Sequence, residues 1–332
     1  VASGPFGVGV QTAMVPGEGR DVLATTWYPS DVTGGTAALS DLVAPRDAAT
    51  LAGLMAAAPA DCARAQTEAT VDAPVAAGQF PVVMFSHCLS CIGASSSFIA
   101  ERLASHGMVV VGITHTDDTL FDQQQGTVAP LSGEWLAVRT QDIRLAFDEV
   151  TTNGPLAAAM DPSRAGVFGH SYGATTTGKV LQDDDRFLAG VAMAAPVENP
   201  LLPGVSTAAI AQPMLFILAL EDNSIQAIGN TFIRNNAAAM PGGSWLVELA
   251  DAGHWSVSDL CGVIDEFSPG CGRGTRQTNG EPFSYLPADT GRQIGASYVT
   301  AFFALHLLGD DGAAEFLATA EPADVVTVTR FE

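Results

Sequence analysis

The 332-residue chain reads as an α/β protein built on a mostly parallel sheet, with helices on both faces and an antiparallel N-terminal edge. Three observations predict this. Short continuous apolar runs, such as Val82-Val83-Met84-Phe85, alternate with segments whose apolar residues recur at helical spacing. Runs of that kind are strands buried on both faces. Ahead of the first lie two strand-like stretches joined by the tight turn Pro16-Gly17-Glu18-Gly19. Finally, no linker, composition break, low-complexity run or internal repeat divides a chain that is 47% hydrophobic. One domain over residues 1–332, with surface insertions near 36–75 and 258–290, is the expected organisation.

Taken in order, Val8 to Val15 and Asp21 to Tyr28 are the two strands around the first turn,. The Ala-rich stretch 37–58 suggests one or two helices. Phe80 to Ser86 is a compact strand, Ser95 to His106 a helix with Phe98, Ile99 and Leu103 at apolar spacing, and Met108 to Thr114 a buried strand,. Trp135 to Val150 is an amphipathic helix, Ala165 to Phe168 a short strand and Tyr172 to Leu181 a helix. Leu188 to Ala194 and Pro213 to Leu220 are strands, Thr231 to Met240 a helix, Trp245 to Leu249 the last predicted strand, and Ile294 to Leu308 the closing helix. Sites in such sheets open at the carboxyl ends of the strands, and that rule selects residues below.

Asp and Glu total 36 against 14 Lys and Arg, a formal charge of −22. Such a surface repels nucleic acid and anionic membranes, which removes both as partners, and favours a soluble monomer. The longest apolar run, Pro213 to Leu220, is strand-sized, so no membrane span is expected,. The chain starts at Val1 with no signal-like segment,. A mature chain whose leader has been removed would look like this, and so would an arbitrary chain boundary.

Five cysteines are present. Cys261 and Cys271 flank a Gly/Pro-containing loop and are expected to close it as a disulfide, as in exported proteins,. Cys88 and Cys91 form a C-x-x-C pair. The pattern superficially matches a redox site at a helix start, while a zinc site would need ligands that the sequence does not supply. Cys62 is expected to pair with one of these two, leaving one thiol free. Connectivity itself is not written in sequence.

Gly169-His170-Ser171-Tyr172-Gly173 fits G-x-S-x-G and sits between a predicted strand and a predicted helix. That is the setting of a nucleophile elbow, a strained turn that exposes the serine hydroxyl at a helix N-terminus, and it specifies the α/β-hydrolase fold. The blander reading is an ordinary Ser/Gly turn. The chain order on this fold is nucleophile, acid, histidine. His254 follows the last predicted strand and is the expected base; His87 and His115 precede Ser171, and His106, His170 and His306 read as structural. Asp222, directly after the Pro213 to Leu220 strand, is the expected acid, with Glu221 the runner-up. Asp183, Asp184 and Asp185 read as a solvated charge run,. The oxyanion donors are expected to be the backbone N–H groups of Tyr172 and of Leu89, in the loop after the Phe80 to Ser86 strand.

These segments resemble bacterial relatives of the secreted platelet-activating-factor acetylhydrolases and, beyond them, bacterial cutinase-like polyester hydrolases. The resemblance is carried by F-S-H-C-L-S-C with the helix and strand behind it, by D-P-S-R-A-G-V-F-G-H-S-Y-G-A, and by V-G-V-Q-T…T-W-Y-P. Cys88 stands where the resemblance implies a glycine, and Ala174 where it implies a second one. The acetylhydrolases carry their acid on the strand after the elbow helix, where this chain has Val191 to Ala195; L-A-L-E-D-N-S-I instead resembles the cutinase-like position, with Asp222 aligned to the acid.

The expected function is therefore a secreted or periplasmic bacterial serine esterase. It would act through an acyl-enzyme on short-chain, lipid or polyester substrates, small or polymeric, with no metal or cofactor. An amidase or peptidase using the same residues, or a non-catalytic binding protein on this fold, are the alternatives. The two insertions are expected to shape the mouth of the site.

Overall fold

Residues 2–332 are described by a computed structural model. The strands are β1 (Gly7–Pro16), β2 (Asp21–Ser30), β3 (Ala69–Val71), β4 (Phe80–Ser86), β5 (Val109–Thr114), β6 (Met160–His170), β7 (Phe187–Met193), β8 (Met214–Ala219), β9 (Ser244–Leu249), β10 (Arg273–Thr275), β11 (Pro282–Ser284) and β12 (Val326–Phe331). The helices are α1 (Ala48–Ala57), α2 (Ser97–Ser105), α3 (Leu120–Gln125), α4 (Gly133–Thr152), α5 (Tyr172–Asp183), α6 (Gln226–Ala239), α7 (Ala288–Phe303) and α8 (Gly312–Leu317). Ten strands form one sheet in the order β12-β9-β8-β7-β6-β4-β5-β2-β1-β3, and β10 and β11 form a separate ribbon. Strands β4 to β9 run parallel to their neighbours; β2 pairs antiparallel with β5 and with β1, and β12 antiparallel with β9. This is an α/β-hydrolase fold.

The apolar runs explain the layering. Successive side chains on a strand point to opposite faces. On β8, Leu215 and Ile217 therefore join one core with Ile99, Leu103, Val299 and Phe302 from α2 and α7. Met214, Phe216 and Leu218 join the other core with Ile143, Phe147, Val180 and Ile233 from α4, α5 and α6. Helix starts follow local chemistry. Ser132 Oγ accepts the Trp135 N–H at 3.1 Å to begin α4, and Thr119 and Asp122 cap α3 reciprocally,.

Several expectations are corrected. β9 is not the last strand, because β12 adds an edge beyond it; its T-V-T-R segment is mostly half-exposed, so the apolar signal was weak. The Ala-rich stretch, by contrast, is as expected: it holds one α-helix, α1, after a single 3₁₀ turn at Leu39–Leu42, with Pro45 between them,. Asp184 is buried rather than solvated, accepting from Arg144 Nε at 3.1 Å and Arg186 Nε at 2.9 Å.

Neither expected cysteine pairing forms. Cys62 is bonded to Cys271, with Cα atoms 5.6 Å apart, and Cys88 to Cys91, 5.2 Å apart. Cys261 is a buried free thiol. The reason is tertiary. The Arg64 N–H donates to Asp259 O at 2.9 Å and Arg292 Nη1 to Cys62 O at 2.8 Å, which draws the first insertion against the second. Cys62 thus meets Cys271, while Cys261 turns into the apolar core. Burial pushes its thiol up to about 12, with Arg292 acting weakly the other way, so it is unreactive,. Peptide mapping without reductant should recover a Cys62–Cys271 crosslink and an internal Cys88–Cys91 loop, with Cys261 alkylated only after unfolding. A Cys261–Cys271 crosslink would contradict this pairing.

Candidate active site

β6 turns into α5 within a single residue, and that residue is Ser171, at φ 55° and ψ −119°. A non-glycine residue there is strained by about 1–3 kcal/mol. Its neighbours enforce the turn. An added Cβ on Gly169 would stand 2.0 Å from Gly173 O, and one on Gly173 1.9 Å from Ser86 O, so both positions exclude any side chain. The Ser171 N–H donates to Met193 O on β7 at 2.8 Å. The serine is thus held at the carboxyl end of the central strand, at the N-terminus of α5.

Asp222 lies three residues beyond β8 and His254 five beyond β9. Asp222 Oδ1 accepts the N–H groups of Ser224 at 3.0 Å and Ile225 at 3.1 Å, which fixes the carboxylate at the start of α6. Its Oδ2 accepts from His254 Nδ1 at 2.7 Å. A carboxylate can only accept, so the imidazole proton sits on Nδ1 and Nε2 is left with a free lone pair. Glu221 is turned away, bound by Arg276 Nη1 at 2.9 Å and the Gln277 N–H at 2.8 Å. His170 reaches across from the elbow: its Nε2 donates to His254 O at 2.7 Å, joining the two loops.

The loop after β4 carries Leu89. Its one left-handed residue is Ser90, at φ 59°, and Cys88 is absent from the positive-φ residues, so the loop needs no glycine at 88. Beneath it runs a buried polar network that sequence reading missed. Arg139 of α4 donates through Nη2 to Ser86 Oγ at 3.0 Å and to His87 O, and through Nη1 to Asp118. Asp118 Oδ1 accepts the Ser90 N–H at 2.8 Å. Because Ser86 Oγ accepts from Arg139, its own proton goes to His115 Nε2 at 3.0 Å, and His115 Nδ1–H donates to Asp142 at 2.8 Å. The His115 N–H in turn donates to His87 Nε2 at 2.9 Å, leaving the His87 proton on Nδ1, 2.6 Å from Cys88 O. Burial drives His87 and His115 well below the usual imidazole range, with Arg139 reinforcing both. His170 is lowered to about 3, by burial first and then by His254. The sequence signal available was the unusual density of His, Asp and Arg within otherwise apolar segments.

Ser171 and His254 open onto one cleft of about 360 Å³, which Leu89 and Tyr172 also line, within the range of small-molecule sites. Among the described residues, the backbone N–H groups of Leu89 and Tyr172 have no protein acceptor. The mouth is formed by Leu131, by the 195–202 segment and by the first half of α6. No residue of either insertion lines it, which corrects the expectation that they shape the mouth. Larger hollows, of about 880 Å³ beside Cys62–Cys271 and about 630 Å³ near the 43–47 loop, touch neither Ser171 nor His254.

Residues 1–154 match the sequence profile described as platelet-activating factor acetylhydrolase, isoform II, and residues 97–226 that of the prolyl oligopeptidase family. The platelet-activating factor acetylhydrolase of Bos taurus is 27% identical over 181 residues, 42% of this chain and 40% of that protein. That of Cavia porcellus is 25% identical over 183 residues, 44% and 42% of the two chains. The matched stretch therefore spans less than half the length of these relatives. A ferulic acid esterase from Streptomyces cinnamoneus superposes with a TM-score of 0.76 over 100% of this chain and 98% of its own, at 20% identity. The chain is an α/β-hydrolase that resembles the acetylhydrolases in sequence and an esterase in fold.

Because His87, His115 and His170 are buried and neutral, their imidazole C2–H resonances should stay pH-independent from about pH 8 to about pH 5, across the range where a free imidazole titrates. A midpoint for any of the three inside that window would contradict the network as described.

Proposed function

We propose that the protein is a serine carboxylic ester hydrolase that works through an acyl-enzyme. The observation that carries this reading is the 2.7 Å contact of His254 Nδ1 with Asp222, beside a strained serine that faces the same cleft. Ser171 Oγ attacks the ester carbonyl while His254 Nε2 takes its proton. The carbonyl oxygen becomes an oxyanion and receives the N–H groups of Leu89 and Tyr172. Collapse expels the alcohol, protonated by His254. Water, deprotonated by the same Nε2, then attacks the acyl group and frees the acid and the serine. Asp222 keeps the imidazole in the tautomer this sequence needs.

The cleft indicates the substrate class. Among the described residues, none of its lining side chains is Asp, Glu, Lys or Arg. Its rim carries Leu131, Ile228 and Leu201, the last 82% exposed. Such a mouth suits neutral, apolar esters with a short acyl chain, lipid-like or polymeric, and the net charge of −22 disfavours anionic ones,. Residues 1–332 act as one catalytic domain in this reading. The two disulfides support an exported, secreted or periplasmic, enzyme,. The match of residues 97–226 to the prolyl oligopeptidase family favours a peptidase as the second reading, although it ends before His254.

A panel of p-nitrophenyl esters of graded chain length, with matched p-nitroanilides, tests the proposal. Ester cleavage should exceed amide cleavage and fall off for charged acids. Ser171→Ala should lower kcat by several orders of magnitude and Asp222→Asn by roughly 10⁴-fold, as loss of the nucleophile or of the correct tautomer does. Glu221→Gln should stay near the parent. Preferential cleavage of the anilides would replace the esterase reading with the peptidase one, and retained activity in folded Ser171→Ala would remove both.

A further inference from the structure

Arg139 is fully buried, and its guanidinium touches both chain segments that carry the oxyanion donors. On the β4 side it donates to Ser86 Oγ and His87 O, and it pairs with Asp118, which holds the Ser90 N–H at 2.8 Å. The peptide carrying Leu89 is therefore fixed on both flanks, at His87 and at Ser90. On the elbow side the guanidinium lies over the Tyr172 ring, 4.6 Å from its centroid, and Nε donates to Thr176 Oγ1 at 3.3 Å, one turn along α5. A planar cation with a rigid fork of donors can hold these acceptors at set angles, which an ammonium on a flexible stem cannot.

We propose that Arg139, with Asp118 as its counter-ion, is the positioning residue that sets the spacing between the Leu89 and Tyr172 N–H donors. It touches no substrate and does not contact His254. This inference rests on the reading of those two N–H groups as the oxyanion donors. Its consequence is specific: disturbing Arg139 should weaken the stabilisation of the tetrahedral oxyanion while sparing ground-state binding and proton transfer. An interaction made only in the transition state lowers kcat and leaves KM largely alone.

The test compares Arg139→Lys with Arg64→Met, which breaks a partly buried Arg–carboxylate pair, Arg64–Glu101, that does not line the cleft. Both variants should melt at lower temperature. Only Arg139→Lys should lose kcat, by about 10–100-fold, because a misplaced oxyanion donor forfeits most of what that donor supplies. Its KM should stay within about threefold, the pH midpoint of kcat/KM should not move, and the affinity for a trifluoromethyl ketone analogue of the best ester should fall by the same factor as kcat/KM. A folded Arg139→Lys with kcat within about threefold of the parent overturns the proposal, as does an equal kcat loss in Arg64→Met. Should the lysine variant fail to fold, Asp118→Asn reads the same coupling with buried volume kept. A kcat loss of about tenfold at constant KM supports the proposal, and a change under about threefold overturns it. Leu89→Pro, which deletes one proposed donor, assigns a failure. If it loses at least about 100-fold while Arg139→Lys does not, the donors stand and only the positioning role falls. If folded Leu89→Pro keeps its kcat, the donor assignment falls and the proposal with it.

Discussion

The close approach of Gly173 to Ser86 is the constraint on which the site depends. The first residues of α5 press so near the end of β4 that a Cβ on Gly173 would stand 1.9 Å from Ser86 O. Two backbones in such contact bring the Tyr172 peptide beside the loop that follows Ser86. The same tightness forces Ser171 into its positive-φ conformation, since β6 must reverse into α5 within one residue. The strain is held by parallel sheet pairing on both sides, β4 to β6 and β6 to β7, and by the Ser171 N–H bond to Met193 O. The parallel sheet fixes the rest, because Asp222 and His254 leave the carboxyl ends of β8 and β9 on the same edge,.

Electrostatics are arranged in two zones. The surface is strongly acidic, yet among the described residues no Asp, Glu, Lys or Arg side chain lines the cleft. Just beneath the β4 loop lies a dense polar layer in which Arg139, Asp118, Asp142 and two neutral histidines satisfy one another. Buried polar groups are stable only when so paired, and once paired they define one geometry rather than several. Neutral His87 and His115 serve as fixed hydrogen-bond relays whose tautomers follow from their partners. The Cys88–Cys91 disulfide closes the same loop from within.

Much of this was legible in the sequence because it is local. The apolar run Phe80–Ser86 coincides with β4, and the elbow's glycines and the Asp222–His254 order follow from patterns a few residues long placed against strand ends. What escaped was non-local. The Cys62–Cys271 bond links positions 209 residues apart, brought together by packing of the two insertions. Arg139 looked like one polar position of an amphipathic helix, but it points inward because Asp118 and His87 O await it there. β12 was missed because its alternation is weak, with only Val326 fully buried. Periodicity reports which face of an element is apolar; it does not report which distant polar group meets a buried one.

The proposed ester hydrolysis requires Ser171 to become acylated during turnover. The most direct measurement mixes the protein with p-nitrophenyl butyrate, quenches in acid within the first turnover, and locates the acyl group by peptide mass spectrometry. A butyryl adduct is expected on the peptide containing Ser171, assigned to that residue by fragmentation and lost on longer incubation before quenching. Alcohol release with no covalent adduct, or an adduct on any other side chain, would contradict it.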